Sequence, residues 1–159
     1  MIKEVYPSNK EHFEKLKQFG KTLLAICKKA KIEPILYGSY MLFYYTNNKK
    51  IKINDLDFYI REKEFTKLIK SLNKNKIKYF YSPEFHTLQV FTNKLKIEFD
   101  SIDFWYNDRK KFININFDGF DIKALSKGSL KNIYKKASEK SKDNPEGNRR
   151  KYKMLTKLK

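Results

Sequence analysis

Tyr37-Gly38-Ser39-Tyr40 and, after a short helical stretch, Ile53-Asn54-Asp55-Leu56-Asp57-Phe58 are the segments whose reading decides the fold. A small-residue turn leads into a helix, and a strand then carries two carboxylates one residue apart. Alternate side chains of a strand leave the same face, so Asp55 and Asp57 point together while Leu56 and Phe58 enter a core. Two neighbouring carboxylates repel each other unless a cation lies between them. A hard divalent ion such as Mg²⁺, with Mn²⁺ as its substitute, takes oxygen ligands and binds through one or two carboxylates plus substrate phosphates. The stretch therefore points to metal-dependent phosphate chemistry.

Outward from it, residues 9–30 place Phe13, Leu16, Phe19, Leu23, Ile26 and Cys27 at helical spacing. Ser8 is the expected N-cap with Glu11 completing a capping box, and Gly20 marks a kink or a break between two helices. Residues 35–37 read as a short buried strand, and a helix over 40–45 ends at Asn47-Asn48. The acid-bearing strand covers 51–61. A helix over 63–73 follows, then strands over 78–81, 87–92 and 96–103, with Asn93-Lys94 as a tight turn. Two more strands, 112–117 and 120–122, flank Asp118-Gly119. A helix through Leu130, Ile133, Tyr134 and Ala137 is broken at Asn144-Pro145-Glu146-Gly147, and a Lys-rich helix over 148–158 follows. This order predicts one α+β domain over 1–159, a mixed β-sheet core over 32–125 with flanking N-terminal and C-terminal helices, the helical C-terminal part covering 126–159.

The turn and the later strand extend the acid pair. Gly38 allows close backbone approach to phosphate oxygens, the N-terminus of the following helix favours an anion, and Ser39 adds a hydroxyl. In 96–103, Glu98 and Asp100 share one face, opposite Ile97 and Phe99. If this strand lies beside 53–60, a third acid joins Asp55 and Asp57, and three carboxylates around one or two Mg²⁺ ions suit nucleotidyl or phosphoryl transfer. Glu98 and Asp100 both remain candidates, Asp100 ahead because its shorter side chain keeps a metal nearer the strand.

Strand, Gly-Ser turn, helix, Asp-x-Asp strand and a later acid-bearing strand form an order that resembles the nucleotidyltransferase superfamily of the DNA polymerase β type. The matching residues are Gly38, Ser39, Asp55, Asp57 and one of Glu98 or Asp100. Phe120-Asp121-Ile122-Lys123-Ala124-Leu125-Ser126, a helix, and Lys140-Ser141-Lys142-Asp143 resemble the tail of small bacterial members, which include antibiotic nucleotidyltransferases and AbiEii-type toxins. Asn148-Arg149-Arg150-Lys151 departs from them in lacking an acid. The resemblance implies a metal-dependent transfer of a nucleoside monophosphate from a nucleoside triphosphate, ATP among them, to a hydroxyl acceptor. It implies Asp55, Asp57 and Asp100 as metal ligands, with Glu98 as the rival third acid. Gly38, Ser39 and a basic residue of the C-terminal helix, Lys135 foremost beside Lys131 and Lys136, would bind the triphosphate. RNA or tRNA, and an antitoxin protein, are the implied macromolecular partners.

Composition sets bounds. The chain carries a formal charge of +18, which suits a polyanionic partner, yet the cations are nearly all Lys amid abundant Asn, Ile, Tyr and Phe, the usage an AT-rich genome imposes. No apolar run approaches the roughly 20 residues that span a bilayer, the start lacks a signal segment, and the single Cys27 sits in an apolar run. A soluble, cytoplasmic protein with a buried thiol is expected. His12 and His86 have no partners for a zinc site. Tyr37, Tyr40, Tyr44, Tyr45 and Trp105 could stack a base, with core packing as the default. Two further readings stay open: a non-catalytic nucleic-acid-binding or toxin–antitoxin interaction protein on the same scaffold, and a phosphohydrolase or nuclease. Convergence of the acids decides between enzyme and scaffold.

Overall fold

The computed structural model describes residues 6–104, 110–140 and 144–157. Trp105, Asp108, Lys142 and Asp143 lie outside the described residues. The chain runs α1 (Lys10–Lys29), β1 (Ile35–Tyr37), α2 (Ser39–Thr46), β2 (Asp55–Ile60), α3 (Phe65–Lys74), β3 (Lys78–Ser82), β4 (Thr87–Thr92), β5 (Leu95–Ser101), β6 (Phe112–Phe117), β7 (Phe120–Leu125), α4 (Lys127–Lys140) and α5 (Pro145–Thr156). The strands form one mixed sheet in the order β3-β4-β5-β2-β1-β7-β6. β2 pairs β5 and β1 pairs β7 in parallel; the remaining neighbours are antiparallel. The α+β expectation holds.

The pleat sorts the sheet into two faces. Leu56, Phe58 and Ile60 of β2, Ile97 and Phe99 of β5, and Leu88 and Val90 of β4 are fully buried with Leu16 and Leu23 of α1 and Leu68 and Leu72 of α3. Each such side chain contributes about 1.5–3 kcal/mol by leaving water. On the other face Tyr59 packs with Ile35, Leu125 and Ile133, a small cluster that seats α4 on the sheet. The acids share this second face.

Several boundaries differ from the sequence expectation, each for a local reason. β2 starts at Asp55 because the backbone of Ile53 is taken by a side chain: Asn9 donates to its carbonyl at 2.9 Å and accepts from its N–H at 3.0 Å. Asn9 holds the cap position of α1 without capping it, and Ser8 donates instead to the carbonyl of Ile51, so the Ser8–Glu11 capping box is absent. α1 is continuous over 20 residues. Gly20 makes no kink; it admits the side chains of Leu56 and Phe117, with a Cβ landing 2.6 Å from Leu56. Asn47 and Asn93 adopt the left-handed conformation at the end of α2 and in the β4–β5 turn, as their types allow. Asp118 and Gly119, both at positive φ, close the β6–β7 hairpin, and β7 runs on to Leu125. The break at 144–147 is the start of α5: Asn144 caps it by accepting from the N–H of Gly147, and Pro145 stands in the first turn, where its missing N–H costs nothing. Cys27 is buried, and burial pushes its thiol up to about 12, so it behaves as a core hydrophobe.

The Asn9 clamp yields a test. Asn9→Ala, which removes two hydrogen bonds, is expected to lower unfolding free energy in urea by about 2 kcal/mol. Glu11→Ala, at a capping box that does not form, leaves it unchanged within about 0.5 kcal/mol.

Candidate active site

Three neighbouring strands set the acids. Tyr37 of β1 lies opposite Asp57 of β2, and Asp57 lies opposite Glu98 of β5; one pleat further, Tyr59 faces Asp100. Asp57, Glu98 and Asp100 each bring one carboxylate oxygen within 4.8 Å of the others. Both candidates for the third acid therefore converge, because a parallel register places them on the same face as Asp57. Asp55, expected in the same cluster, stands one pleat away and is ion-paired to its cross-strand neighbour Lys96 at 3.2 Å.

Each acid is held. Asp100, 5% exposed, accepts from Thr87 Oγ1 at 2.6 Å and from the Tyr37 hydroxyl. Glu98 accepts from Gln89 Nε2 at 3.1 Å. Asp57 lies against the α-carbon of Gly38, which adopts φ 76° and ψ −153°; a Cβ there would overlap the Asp57 carboxylate. Only glycine satisfies both the backbone angles and the contact. Gly38 thus has a steric role beyond the phosphate approach expected of it.

The field inside the cluster is unfavourable to its own charges. Burial first, then Glu98, Asp100 and Asp55, lifts the Asp57 carboxyl well above the usual range, with Lys151 pulling the other way. Burial and then Glu98 lift Asp100 to about 7, although hydrogen bonds from Thr87 and Tyr37 favour its ionised form. Buried oxygens at this spacing are the donor set of a hard divalent cation.

The acids floor a cleft of about 450 Å³ whose walls include Gly38, Ser39, Tyr134, Asn144, Asn148 and Lys151. Asn148 and Lys151 stand at i and i+3 on one face of α5, and Asn144 is its cap. Burial lowers the pKa of Lys151, whose Nζ lies 5.4 Å from the centre of the Tyr134 ring. The Tyr134 hydroxyl is buried and has no hydrogen-bond partner among the described residues. Lys135, the expected phosphate ligand, is exposed and lines no part of the cleft, because α4 turns Leu130, Ile133, Tyr134 and Ala137 inward instead. Lys131 lies over the Tyr152 ring. Lys151, which lines the cleft and was not singled out from the sequence, had no signal beyond its helical spacing from Asn148.

Of the other singled-out aromatics, Tyr37, Tyr40 and Tyr45 are engaged within the fold. Tyr37 stacks on Tyr59 with ring centres 3.9 Å apart, Tyr40 sits against Phe13 and Phe117, and Tyr45 donates to the carbonyl of Leu125. Tyr44 is exposed. His86 contacts the Glu62 carboxylate at 2.9 Å and stacks on Phe104, and His12 bonds the backbone of Asn54, so neither approaches the cleft. No helix among the described residues is long and apolar enough to cross a membrane.

No protein-family model matches the sequence. No curated protein matches it significantly either. In three dimensions the chain is similar to the antibiotic-resistance factor ANT(2'')-Ia, with TM-score 0.64 at 10% identity over 87% of this chain and 81% of that one. It is similar to the lincosamide antibiotic adenylyltransferase LnuA, solved with lincomycin, with TM-score 0.60 at 14% identity over 90% and 96%. A nucleotidyltransferase-like protein from Paracoccidioides brasiliensis follows, with TM-score 0.58 at 11% identity over 94% and 77%. The chain has the nucleotidyltransferase fold, as the Gly-Ser and Asp-x-Asp order implied.

Relief of the carboxylate repulsion is measurable. At 100 times its dissociation constant, Mg²⁺ or Mn²⁺ is expected to add about 2.7 kcal/mol, a rise in Tm of roughly 5–10 °C. Asp57→Asn raises the metal-free Tm in EDTA and removes the metal-dependent rise; calorimetry with and without metal reads both effects.

Proposed function

We propose that the protein is a metal-dependent nucleotidyltransferase that moves a nucleoside monophosphate from a nucleoside triphosphate to a hydroxyl acceptor. The observation that carries this reading is the convergence of Asp57, Glu98 and Asp100 directly beneath Gly38 and the start of α2. ATP is the first donor to test, since the lincosamide enzyme of the same fold is an adenylyltransferase.

The residues divide the work by position. Asp57, Glu98 and Asp100 would hold Mg²⁺ or Mn²⁺, with Asp55 adding negative field from the neighbouring pleat. When bound there, the ion would supply neutralisation of phosphate charge and a lowered pKa for a hydroxyl nucleophile. The backbone N–H groups at the start of α2 and the Ser39 hydroxyl receive phosphate oxygens, the positive end of the helix dipole favouring the anion. Lys151 and Asn148 reach the triphosphate from α5, and Tyr134 lines the same cleft. The acceptor oxygen attacks the α-phosphorus, the bond to the β-phosphate oxygen breaks, and pyrophosphate leaves. Asp100, held by Thr87 and the Tyr37 hydroxyl at the edge of the cluster, would bind the ion on the acceptor's side or take the acceptor's proton.

Labelled nucleoside triphosphate, divalent metal and total RNA or small hydroxyl acceptors test the reading. Asp57→Asn and Glu98→Gln are expected to cut transfer about 10³-fold with the fold intact by circular dichroism. Asp55→Asn lowers it as well. Lys151→Ala raises KM for the triphosphate about 10-fold, the effect of losing one charged contact, whereas Lys135→Ala changes nothing. Full activity in Asp57→Asn would refute the assignment.

A further inference from the structure

Beyond the cleft, the acid-bearing face of the sheet continues across β4 and β3, where Phe80, Phe91 and Lys78 are exposed among the described residues. Register fixes which residues it presents. The row Asp57–Glu98 continues through Gln89 to Phe80, the row Asp55–Lys96 through Phe91 to Lys78, and the row Tyr59–Asp100 through Thr87 to Ser82. The bonds from Gln89 to Glu98 and from Thr87 to Asp100 put these side chains on the acids' own face. Leu88 and Val90 face the core on the other side.

Two features of this extension lack a folding explanation. Phe80 is 62% exposed and Phe91 37% exposed, in strands where an outward aromatic costs solvation without packing. They are diagonal neighbours, Phe80 opposite Gln89 and Phe91 two residues on, a relation that sets them about 7–8 Å apart. Lys78 is exposed in the same row as Phe91. β3 and β4 contain no carboxylate, so their contribution to this face is aromatic, cationic or neutral hydrogen-bonding.

We propose that the β3–β4 face is a stacking platform for single-stranded RNA, which lays unpaired bases on Phe80 and Phe91 and directs its terminal hydroxyl along the Phe80–Gln89–Glu98 row to the acids. The occupant follows from chemistry. Exposed rings on an open sheet stack unpaired bases and have no means of stacking those already paired in a duplex. Lys78 and the net charge of +18 suit a polyanion and steer its approach. At about 4.8 Å per strand, the backbone of Phe80 stands about 14 Å from that of Asp57, so platform and acids fall on one strand of substrate. The platform names the acceptor of the transfer proposed above and rests on that reading only for what happens at its acid end.

Fluorescence anisotropy with a labelled single-stranded RNA of about a dozen nucleotides, within the usual range of such sites, tests it. The wild type binds with an affinity that falls steeply with salt. Phe80→Ala/Phe91→Ala weakens binding about 10-fold or more, while circular dichroism and the thermal shift with nucleoside triphosphate stay unchanged. Lys78→Ala reduces the salt slope by about one. The platform is overturned if the double variant binds as tightly as the wild type, if a duplex of equal length binds as well as the single strand, or if no RNA binds. Label transfer separates the two proposals. Binding that depends on the phenylalanines without any transfer by the wild type refutes the transferase reading and upholds the platform. Transfer to RNA that survives the double substitution refutes the platform alone.

Discussion

Parallel pairing of β2 with β5 sets Asp57 across from Glu98 and brings Asp100 into reach one pleat further on, so three carboxylates meet within 4.8 Å. This cluster opposes folding, since each acid loses water and faces like charge. The surrounding structure is arranged to tolerate it. Thr87, Tyr37 and Gln89 donate to the acids, Lys151 reaches in from α5, and Gly38 gives up a side chain so that Asp57 fits. Five residues, from β1, the turn before α2, β4 and α5, thus converge on a group that destabilises the metal-free protein. Local cost at the point of greatest structural support is the signature of a site shaped for chemistry.

The sheet lets one protein carry that cost because its faces are unequal. One face is closed by α1 and α3 over fully buried Leu, Ile and Phe side chains, which supply the stabilisation. The other is only partly covered, by α4 through Ile133 on Ile35, Tyr59 and Leu125. Between covered and open regions of that second face lies the cleft. Its acids belong to strands whose alternate residues are core, so a displacement of the site requires a displacement of the core.

Much of this was legible in the chain, for identifiable reasons. Alternation in Asp55-Leu56-Asp57-Phe58 and in Ile97-Glu98-Phe99-Asp100 is a period-two signal that survives folding because one face must be buried. The Asn93, Asn47 and Asp118-Gly119 turns were readable because few residue types accept a positive φ. The start of α1 misled because Ser8, the residue local rules assign to the cap, bonds the Ile51 carbonyl instead, and Asn9 at the cap position spends its side chain on Ile53, 44 residues away. Gly20 misled similarly: its lack of a side chain serves Leu56 and Phe117, which a local pattern does not contain. Lys135 was expected on the helix through Leu130, Ile133 and Tyr134, and Lys151 was not singled out, because only docking shows which helix faces look inward.

By itself, the sequence determined the α+β class, the Gly-Ser turn before a helix, and the acids that share a strand face. These follow from pleat geometry and backbone sterics within a few residues. Tertiary structure alone decided that Glu98 and Asp100 both join Asp57 while Asp55 turns to Lys96, that Lys151 is the cation of the cleft, and that Phe80 and Phe91 extend the acid rows. Those outcomes depend on which strands pair, in what direction and in what register. Register is set by burial summed over the whole sheet, and no local segment holds that sum.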